Sequence, residues 1–223
     1  MTLDYTMIKI DNVSYSYPKG GGVSNLNLEI KEGEFVFLIG PTGSGKTTIL
    51  KLIYMDLFPK AGKITVDKYN SQSIKKRKVP YLRRKIGVIF QNYHLLEDRN
   101  VFDNIALPLH VLGYDKDEIL ELVSESMLEV GLEGKESHYP YELSGGEQQR
   151  ACVARALIKD PDIILADEPT GNLDPIASFE LIKLFEQISK EGTSILMASH
   201  NYNLIKGRGR RIIELKDGLL RGS

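Results

Sequence analysis

A glycine-rich stretch at residues 40–47 directly follows an apolar run at residues 35–39. It matches the pattern G-x-x-x-x-G-K-[ST], which predicts a strand, a phosphate-binding loop and a helix in that order. Backbone amides of such a loop point at phosphate oxygens, and the helix that starts near Gly45 adds its positive N-terminal end. The pattern therefore predicts a nucleoside triphosphate site made by Gly40, Pro41, Thr42, Gly43, Ser44, Gly45, Lys46 and Thr47.

Four side chains have predicted roles in handling the triphosphate. Lys46 supplies a full positive charge to the β and γ phosphates, and the Thr47 hydroxyl can ligate Mg²⁺. Asp167 ends the apolar run 163–166, at the edge of the sheet where α/β proteins bind ligands, and can hold Mg²⁺ through its water shell. Glu168 follows at once and is the candidate base that polarises the attacking water. The alternative for Glu168 is a second acidic residue in a loop.

Short apolar runs alternate with helical patterns, which indicates a mainly parallel sheet flanked by helices. The predicted helices start at the N-caps Asp115, Ser144 and Asp174, and Pro175 occupies the first position of the last one. In that helix we expect one buried face made of Ile176, Phe179, Ile182, Phe185 and Ile188. The predicted strands cover residues 7–13, 26–30, 35–39, 63–66, 86–90, 163–166, 194–198 and 211–215, and Asp217-Gly218 predicts a final hairpin turn.

The strand pattern disappears between about residues 92 and 159. We therefore expect one domain over residues 1–223, with a helical subdomain (about 92–159) inserted into an α/β core (about 1–91 and 160–223). No linker separates the chain into independent domains.

Composition limits the classes of function. The net charge of -1 does not indicate a nucleic-acid surface, and no nucleic-acid partner is expected. The apolar run 35–39 is the longest and is far short of the roughly 18 residues that span a bilayer, so a membrane role would need a partner. The single cysteine, Cys152, lies in a small apolar run and is interpreted as a buried structural thiol rather than a nucleophile.

The stretch Leu143-Ser144-Gly145-Gly146-Glu147-Gln148-Gln149 distinguishes this chain from other proteins with a phosphate loop. Ser144 and Glu147 form a predicted capping box, and the two glycines leave bare amides at a positive helix end. This stretch resembles the signature motif of ABC ATPases, and the resemblance extends over essentially the whole chain. It implies a P-loop NTPase core with an N-terminal antiparallel β part, and a homodimer in which Ser144, Gly145, Gly146 and Glu147 complete the ATP site of the partner copy.

The same resemblance implies roles for further residues. Gln91 would contact Mg²⁺ and the attacking water, His200 would contact the γ-phosphate, and Asn172-Leu173-Asp174 would cross the dimer interface. Tyr17 would stack on adenine, with Val23 as a further contact and Thr48 in the same nucleotide-binding set. The implied cofactors are ATP and Mg²⁺, and the implied reaction is the hydrolysis of ATP to ADP and phosphate.

Two segments resemble the FtsE family of bacterial cell-division ATPases: residues 79–84 (Val-Pro-Tyr-Leu-Arg-Arg) and residues 90–104. This resemblance implies a membrane partner like the four-helix protein FtsX, activation of peptidoglycan hydrolases, and a peripheral position on the cytoplasmic face of the inner membrane. The ATPases of lipoprotein-releasing and macrolide-export transporters share part of these segments and stay an alternative. A soluble module that dimerises on ATP without a membrane partner is the alternative from another class.

Two basic stretches are interpreted as solvent-exposed surface, and the first of them has an alternative. The cluster Lys75-Lys76-Arg77-Lys78 is interpreted as a solvated surface, with anionic lipid headgroups as the alternative contact. Residues 206–211 are expected to form a solvated loop.

Overall fold

Two β-sheets and seven helices build the described part of the chain, residues 5–221 of a computed structural model. The strands are β1 (Thr6–Ser16), β2 (Gly22–Lys31), β3 (Phe35–Ile39), β4 (Ala61–Val66), β5 (Tyr69–Asn70), β6 (Ile86–Ile89), β7 (Ile163–Asp167), β8 (Ser194–Ser199), β9 (Arg211–Lys216) and β10 (Leu219–Arg221). The helices are α1 (Lys46–Ile53), α2 (Val79–Arg84), α3 (Val101–Leu112), α4 (Lys116–Glu129), α5 (Gly145–Leu157), α6 (Pro175–Lys190) and α7 (Tyr202–Ile205).

The larger sheet has six strands in the order β10-β9-β3-β8-β7-β6, and all its pairs are parallel except β9 with β10. Its central strand β3 is buried on both faces, since Phe35 and Phe37 pack into one core cluster and Val36 and Leu38 into the other. Strands with two buried faces are typical of parallel sheets covered on both sides. The mainly parallel sheet is confirmed, as are the eight predicted strands, with β1 and β2 longer than predicted.

The smaller sheet is antiparallel, with the order β2-β1-β4-β5. Its apolar side chains share the second core cluster with α1 and with one face of the larger sheet. This confirms the N-terminal antiparallel part. The two-residue strand β5 was not predicted, because it is too short to produce an alternating pattern.

The three predicted helix starts are confirmed at the level of single hydrogen bonds. Asp115 and Ser144 each accept a bond from the amide three residues on, and Glu118 and Glu147 complete both capping boxes. Asp174 accepts from the amides of Ile176 and Ala177, and Pro175 is the first residue of α6.

The predicted buried face of α6 is wrong in part. Ile182, Phe185 and Ile188 are buried, but Ile176 is 74% exposed and Phe179 is 49% exposed. Each step of three residues falls about 60° short of a full helical turn, so five such positions sweep most of the way round the helix. Only the last three of them face the core.

Between the neighbouring strands β6 and β7 the chain forms α3, α4 and α5, and no strand is assigned in residues 90–162, all of which are described. Asn104 on α3 is fully buried, and its side chain holds the preceding loop in place. Its Oδ1 accepts a hydrogen bond from the Leu96 amide, and its Nδ2 donates to the carbonyl oxygens of Leu96, Arg99 and Asn100. The subdomain boundaries near 92 and 159 stay predictions. The ends of the predicted domain, residues 1–4 and 222–223, lie outside the described residues.

Within residues 5–221, none of the helices combines the length and the apolar character that a membrane crossing requires. The solvated loop predicted at residues 206–211 is wrong for Arg208. Its side chain is only 12% exposed, lies over the Phe179 ring and forms an ion pair with Glu186 at 3.0 Å.

A nucleotide site at the carboxyl edge of the large sheet

The phosphate loop connects β3 to α1 at the carboxyl edge of the large sheet. The N-cap of α1 is Gly45, which has no side chain to bond the first amides of the helix, so these stay available to an anion. Gly40 lies against β9, and a Cβ atom there would be 2.2 Å from the Leu215 carbonyl oxygen. Only glycine therefore fits against β9 at this position.

Lys46 is the buried cation of the site, with 5% of its surface exposed. Its Nζ donates to the carbonyl oxygens of Gly40 at 2.7 Å and Pro41 at 3.2 Å, and it lies 3.0 Å from Glu168 Oε1. These contacts curl the lysine back over its own loop. The ammonium group is thereby held beside the first two residues of the phosphate loop.

Thr47 and Asp167 form the second pair of the site. The Thr47 hydroxyl donates to Asp167 Oδ2 at 2.7 Å, across 120 residues of sequence. The other carboxylate oxygen, Oδ1, is buried without a hydrogen-bond partner. Burial raises the pKa of Asp167, and the charge of Glu168 adds to this rise against the lowering effect of the Thr47 bond. A hydroxyl beside an unpartnered carboxylate oxygen is a donor set that suits Mg²⁺.

Glu168 and His200 lie directly beyond this pair. Glu168 has a left-handed backbone with φ of 50°, which turns the chain at the end of β7 and directs its carboxylate back toward the loop. Its Oε2 lies 2.6 Å from His200 Nδ1 and accepts a bond from the His200 amide at 3.2 Å. The two oxygens of Glu168 therefore have different partners, Lys46 and His200.

A cavity of about 380 Å³ collects most of the predicted site residues: Tyr17, Thr42, Gly43, Gly45, Lys46, Thr47, Thr48, Gln91, Glu168 and His200. Val23, Pro41 and Ser44 line a neighbouring cavity, together with Thr42 and Gly43. Gly40 and Asp167 line neither cavity but contact residues that do, through Lys46 and Thr47. Residues from five separate segments of sequence thus converge at one sheet edge.

Tyr17 lies just beyond the end of β1, at the rim of this cavity. Its hydroxyl is 3.2 Å from the Thr48 hydroxyl, and its ring meets Tyr15 edge to face with centroids 5.0 Å apart. Val23 is 2% exposed, so little of its side chain is available to a ligand.

The predicted signature residues Ser144, Gly145, Gly146 and Glu147 are not among the residues that line either cavity. They form the start of α5, where Glu147 accepts bonds from the Ser144 hydroxyl and amide and pairs with Lys135 at 3.1 Å. The Ser144 bonds, with a smaller contribution from Lys135, lower the pKa of Glu147 to about 2. The site predicted from sequence is therefore split into two separate surfaces within one chain.

A second cleft shares no lining residue with the first, and sequence reasoning missed most of it. It has a volume of about 400 Å³ and is lined by Tyr54, Arg83, Ile86, Gly87, Val88, Phe90, His94, Leu107, Pro108, Arg155, Ala156 and Lys159. Three of these residues, Arg83, Arg155 and Lys159, have basic side chains, and none is a carboxylate. The spacing of Arg155 and Lys159 at i and i+4 near the end of α5 is the signal that could have placed them on one side of the helix.

Lys159 and Arg155 are both partly buried. Lys159 Nζ donates to the carbonyl oxygens of Arg83 and Ile86, both at 2.7 Å, and burial lowers the pKa of Lys159 to about 8. Arg155 donates to the carbonyl oxygens of Tyr93 at 2.8 Å and His94 at 2.7 Å. Lys159 and Arg155 thus bind carbonyl groups, whereas Arg83 donates to the carbonyl oxygens of Tyr54 and Met55 and also lies 3.9 Å from Asp56.

Comparison with known proteins gives a consistent result. The family model described as ABC transporter matches residues 23–171. The cell division ATP-binding protein FtsE of Escherichia coli strain K12 is 45% identical over 97% of this chain and 98% of its own length. FtsE of Mycobacterium tuberculosis is 43% identical over 96% of the chain and 94% of its length.

A solved structure agrees at the level of the whole fold. The ATP-binding cassette MJ0796, in a dimeric post-hydrolysis state bound to ADP and Pi, superposes with a TM-score of 0.88 at 35% identity and covers 97% of both chains. The phosphate loop, the carboxylates that follow β7 and the start of α5 all lie within this shared fold. The chain belongs to the ABC transporter family, and it is an ATP-binding and ATP-hydrolysing subunit.

Proposed function

We propose that this chain is the ATPase subunit of a cell-division complex of the FtsE kind, in which two copies close around ATP. The closure would drive an integral membrane partner resembling FtsX, on the cytoplasmic face of the inner membrane, toward activation of peptidoglycan hydrolysis. The observation that carries the proposal is the split site. Lys46, Thr47 and Glu168 line one cavity, whereas Ser144, Gly145 and Gly146 line neither this cavity nor its neighbour.

The separation of the phosphate-loop cavity from the start of α5 supports a dimer, because the α5 start of one copy can bind the phosphates held in the cavity of the other. The start of α5 presents glycine amides at the positive end of a 13-residue helix, which favours an anion such as a γ-phosphate. Two copies arranged head to tail would place the start of α5 of each copy against the phosphate loop of the other. The relative MJ0796 has been described as dimeric in two structures that match this fold.

The residues of one copy would divide the work of hydrolysis. The loop amides and Lys46 bind the phosphates, and Thr47, Asp167 and Gln91 would hold Mg²⁺, which neutralises developing charge on the phosphates. Phosphate binding draws the Lys46 ammonium away from Glu168, because a phosphate offers it more negative charge than one carboxylate does. Glu168 Oε1 is then free to accept the proton of the attacking water, while His200 stays bonded to Oε2 and reaches toward the γ-phosphate.

Tyr17 would hold the adenine at the rim of the cavity. Its ring is fixed by the Tyr15 edge contact and by the Thr48 hydroxyl, so it offers a preorganised face for stacking. Stacking alone does not select adenine over guanine.

The second cleft would receive the membrane partner. Phe90 and His94, on either side of Gln91 in the sequence, both line it, and its lining combines the apolar side chains of Ile86, Val88 and Leu107 with three cations. An amphipathic helix of the partner could place apolar side chains against these apolar residues. Movement of the segment after Gln91 would then connect the partner to the nucleotide cavity.

Replacing Glu168 with Gln tests the enzymatic part of the proposal. The substitution removes the base and keeps the shape of the side chain, so we expect hydrolysis to fall by about 10² to 10⁴ while ATP binding persists. The variant should form an ATP-dependent dimer in size-exclusion chromatography. Turnover at the wild-type rate, or a monomer at saturating ATP, would contradict the proposal.

Co-purification tests the membrane part. We expect the Glu168→Gln protein to recover an integral membrane protein from detergent-solubilised membranes in the presence of ATP. Lys159→Glu replaces one of the three cations of the second cleft with an anion, at a residue that does not line the nucleotide cavity, and it should lose this protein. Recovery of no integral membrane protein would favour an ATP-switched module that acts without one.

A further inference from the structure

Tyr93 lies two residues after Gln91 in an unusual backbone conformation. Tyr93 and His94 both have left-handed φ angles, 56° and 52°, which cost free energy in residues other than glycine. Such a conformation persists only where surrounding contacts hold it. The backbone carbonyl groups of both residues are held by one helix, α5.

Two side chains of α5 fasten this segment. Cys152 Sγ lies 3.0 Å from the Tyr93 carbonyl oxygen, and Arg155 donates to the same oxygen at 2.8 Å and to the His94 carbonyl at 2.7 Å. A guanidinium with two carbonyl acceptors fixes both position and orientation. Residues 93–94 are therefore bound to the helix that begins with Gly145 and Gly146.

The Tyr93 side chain makes a second connection, to the first turn of the same helix. Its hydroxyl lies so close to Gly145 that a Cβ atom on that glycine would be 3.0 Å from the hydroxyl oxygen and 3.4 Å from the Asn172 carbonyl oxygen. Burial raises the pKa of Tyr93, and a hydrogen bond from the Asn172 side chain opposes this rise. Asn172 Nδ2 also donates to the Gln91 carbonyl oxygen at 3.1 Å.

We propose that Tyr93 is a positioning residue that sets Gly145 and Asn172 in the geometry needed to meet the ATP of a second copy. Its hydroxyl joins three segments that are far apart in sequence: the one that follows Gln91, the start of α5, and the loop that follows Glu168. The inference rests on the ATP-dependent dimer proposed above and adds a residue to it. Tyr93 is not among the residues lining the nucleotide cavity, so it acts on dimer closure and not on nucleotide binding.

The test uses Tyr93→Phe in the Glu168→Gln background, where ATP is bound but not consumed. The substitution removes one hydroxyl and keeps the ring, so the loss of a single hydrogen bond should raise the dimer dissociation constant about fivefold. Analytical ultracentrifugation in ATP measures this constant. A fluorescent ATP analogue measures binding to the monomer, which should be unchanged.

Tyr141→Phe in the same background is the matched control. Tyr141 also carries a hydroxyl near the start of α5, but it is 71% exposed. The dimer dissociation constant of Tyr141→Phe should therefore equal that of the Glu168→Gln parent. Asn172→Ala also removes the bond to the Gln91 carbonyl oxygen, so it should weaken the dimer at least as much as Tyr93→Phe does, and the double variant should be no weaker than Asn172→Ala alone.

An unchanged dimer constant in Tyr93→Phe would overturn the inference, and so would strictly additive effects with Asn172→Ala. A loss of monomer ATP binding in Tyr93→Phe would also overturn it, because that result indicates a general folding defect. Failure of the Glu168→Gln parent to dimerise would instead contradict the proposed function.

Discussion

The ion pair between Lys46 and Glu168 predicts that Glu168→Gln loses stability when no nucleotide is bound. The two charged atoms lie 3.0 Å apart, and the side chains are 6% and 11% exposed. The amide of Gln is nearly the same shape as the carboxylate but has no charge. The variant therefore keeps the packing and leaves the buried ammonium without an anionic partner.

The size of the effect follows from this burial. Removing one partner of a buried ion pair costs about 3–5 kcal/mol. Lys46 keeps the carbonyl oxygens of Gly40 and Pro41 as acceptors, so we expect the lower end, about 3 kcal/mol. For a domain of this size, each kcal/mol shifts Tm by about 2–4 °C, which gives a fall of about 6–12 °C.

Thermal denaturation without nucleotide measures this fall in Tm. Saturating ADP should reduce the Tm difference between wild type and Glu168→Gln. The β-phosphate replaces Glu168 as the anionic partner of Lys46, and bound ligand adds stability to both proteins. Glu133→Gln, the same chemical change at an exposed position, is the control and should leave Tm unchanged. A Glu168→Gln Tm within about 2 °C of wild type, or a gap that ADP does not narrow, would refute the reasoning.

Three further results are expected. Tyr17→Ala should weaken binding of a fluorescent ATP analogue at least about fivefold, because aromatic stacking contributes about 1 kcal/mol or more, whereas the exposed Tyr202→Ala should not. Because burial lowers the pKa of Lys159 to about 8, the folded chain binds fewer protons than the unfolded chain above that pH. The unfolding free energy of wild type should therefore rise by about 1–2 kcal/mol relative to Lys159→Met between pH 8 and about 10, and a flat difference in urea titrations would contradict this. Because burial raises the pKa of Cys152 to about 11, iodoacetamide at pH 8 should label the thiol in denatured protein and spare the native chain, as mass spectrometry would show.

Much of the fold was predictable because its signals are local in sequence. The capping boxes at Asp115 and Ser144 and the Asp174-Pro175 start involve residues three or fewer positions apart. The apolar runs that form β3 and β7 need no partner to be recognised, because a strand buried on both faces is apolar at nearly every position. The phosphate loop is also a local signal, since its glycines and Lys46 lie within eight consecutive residues.

Other features depended on contacts between distant residues. Ile176 and Phe179 are apolar and helical, yet packing of the rest of α6 turns them to solvent and to Arg208. The cationic cleft is not visible in sequence either, because Arg83 reaches it from α2 whereas Arg155 and Lys159 belong to α5 and its end.

Local sequence patterns predicted a phosphate loop directly after an apolar strand, and a capped, glycine-containing helix start about 100 residues later. Three features required the folded chain: the pairing of Lys46 with Glu168, the bond from Thr47 to Asp167, and the position of the α5 start outside the nucleotide cavity. The physical reason is the range of the interactions. Loop and cap hydrogen bonds join neighbours in the chain, whereas the site joins strand ends that only the pairing of β3, β7 and β8 brings together.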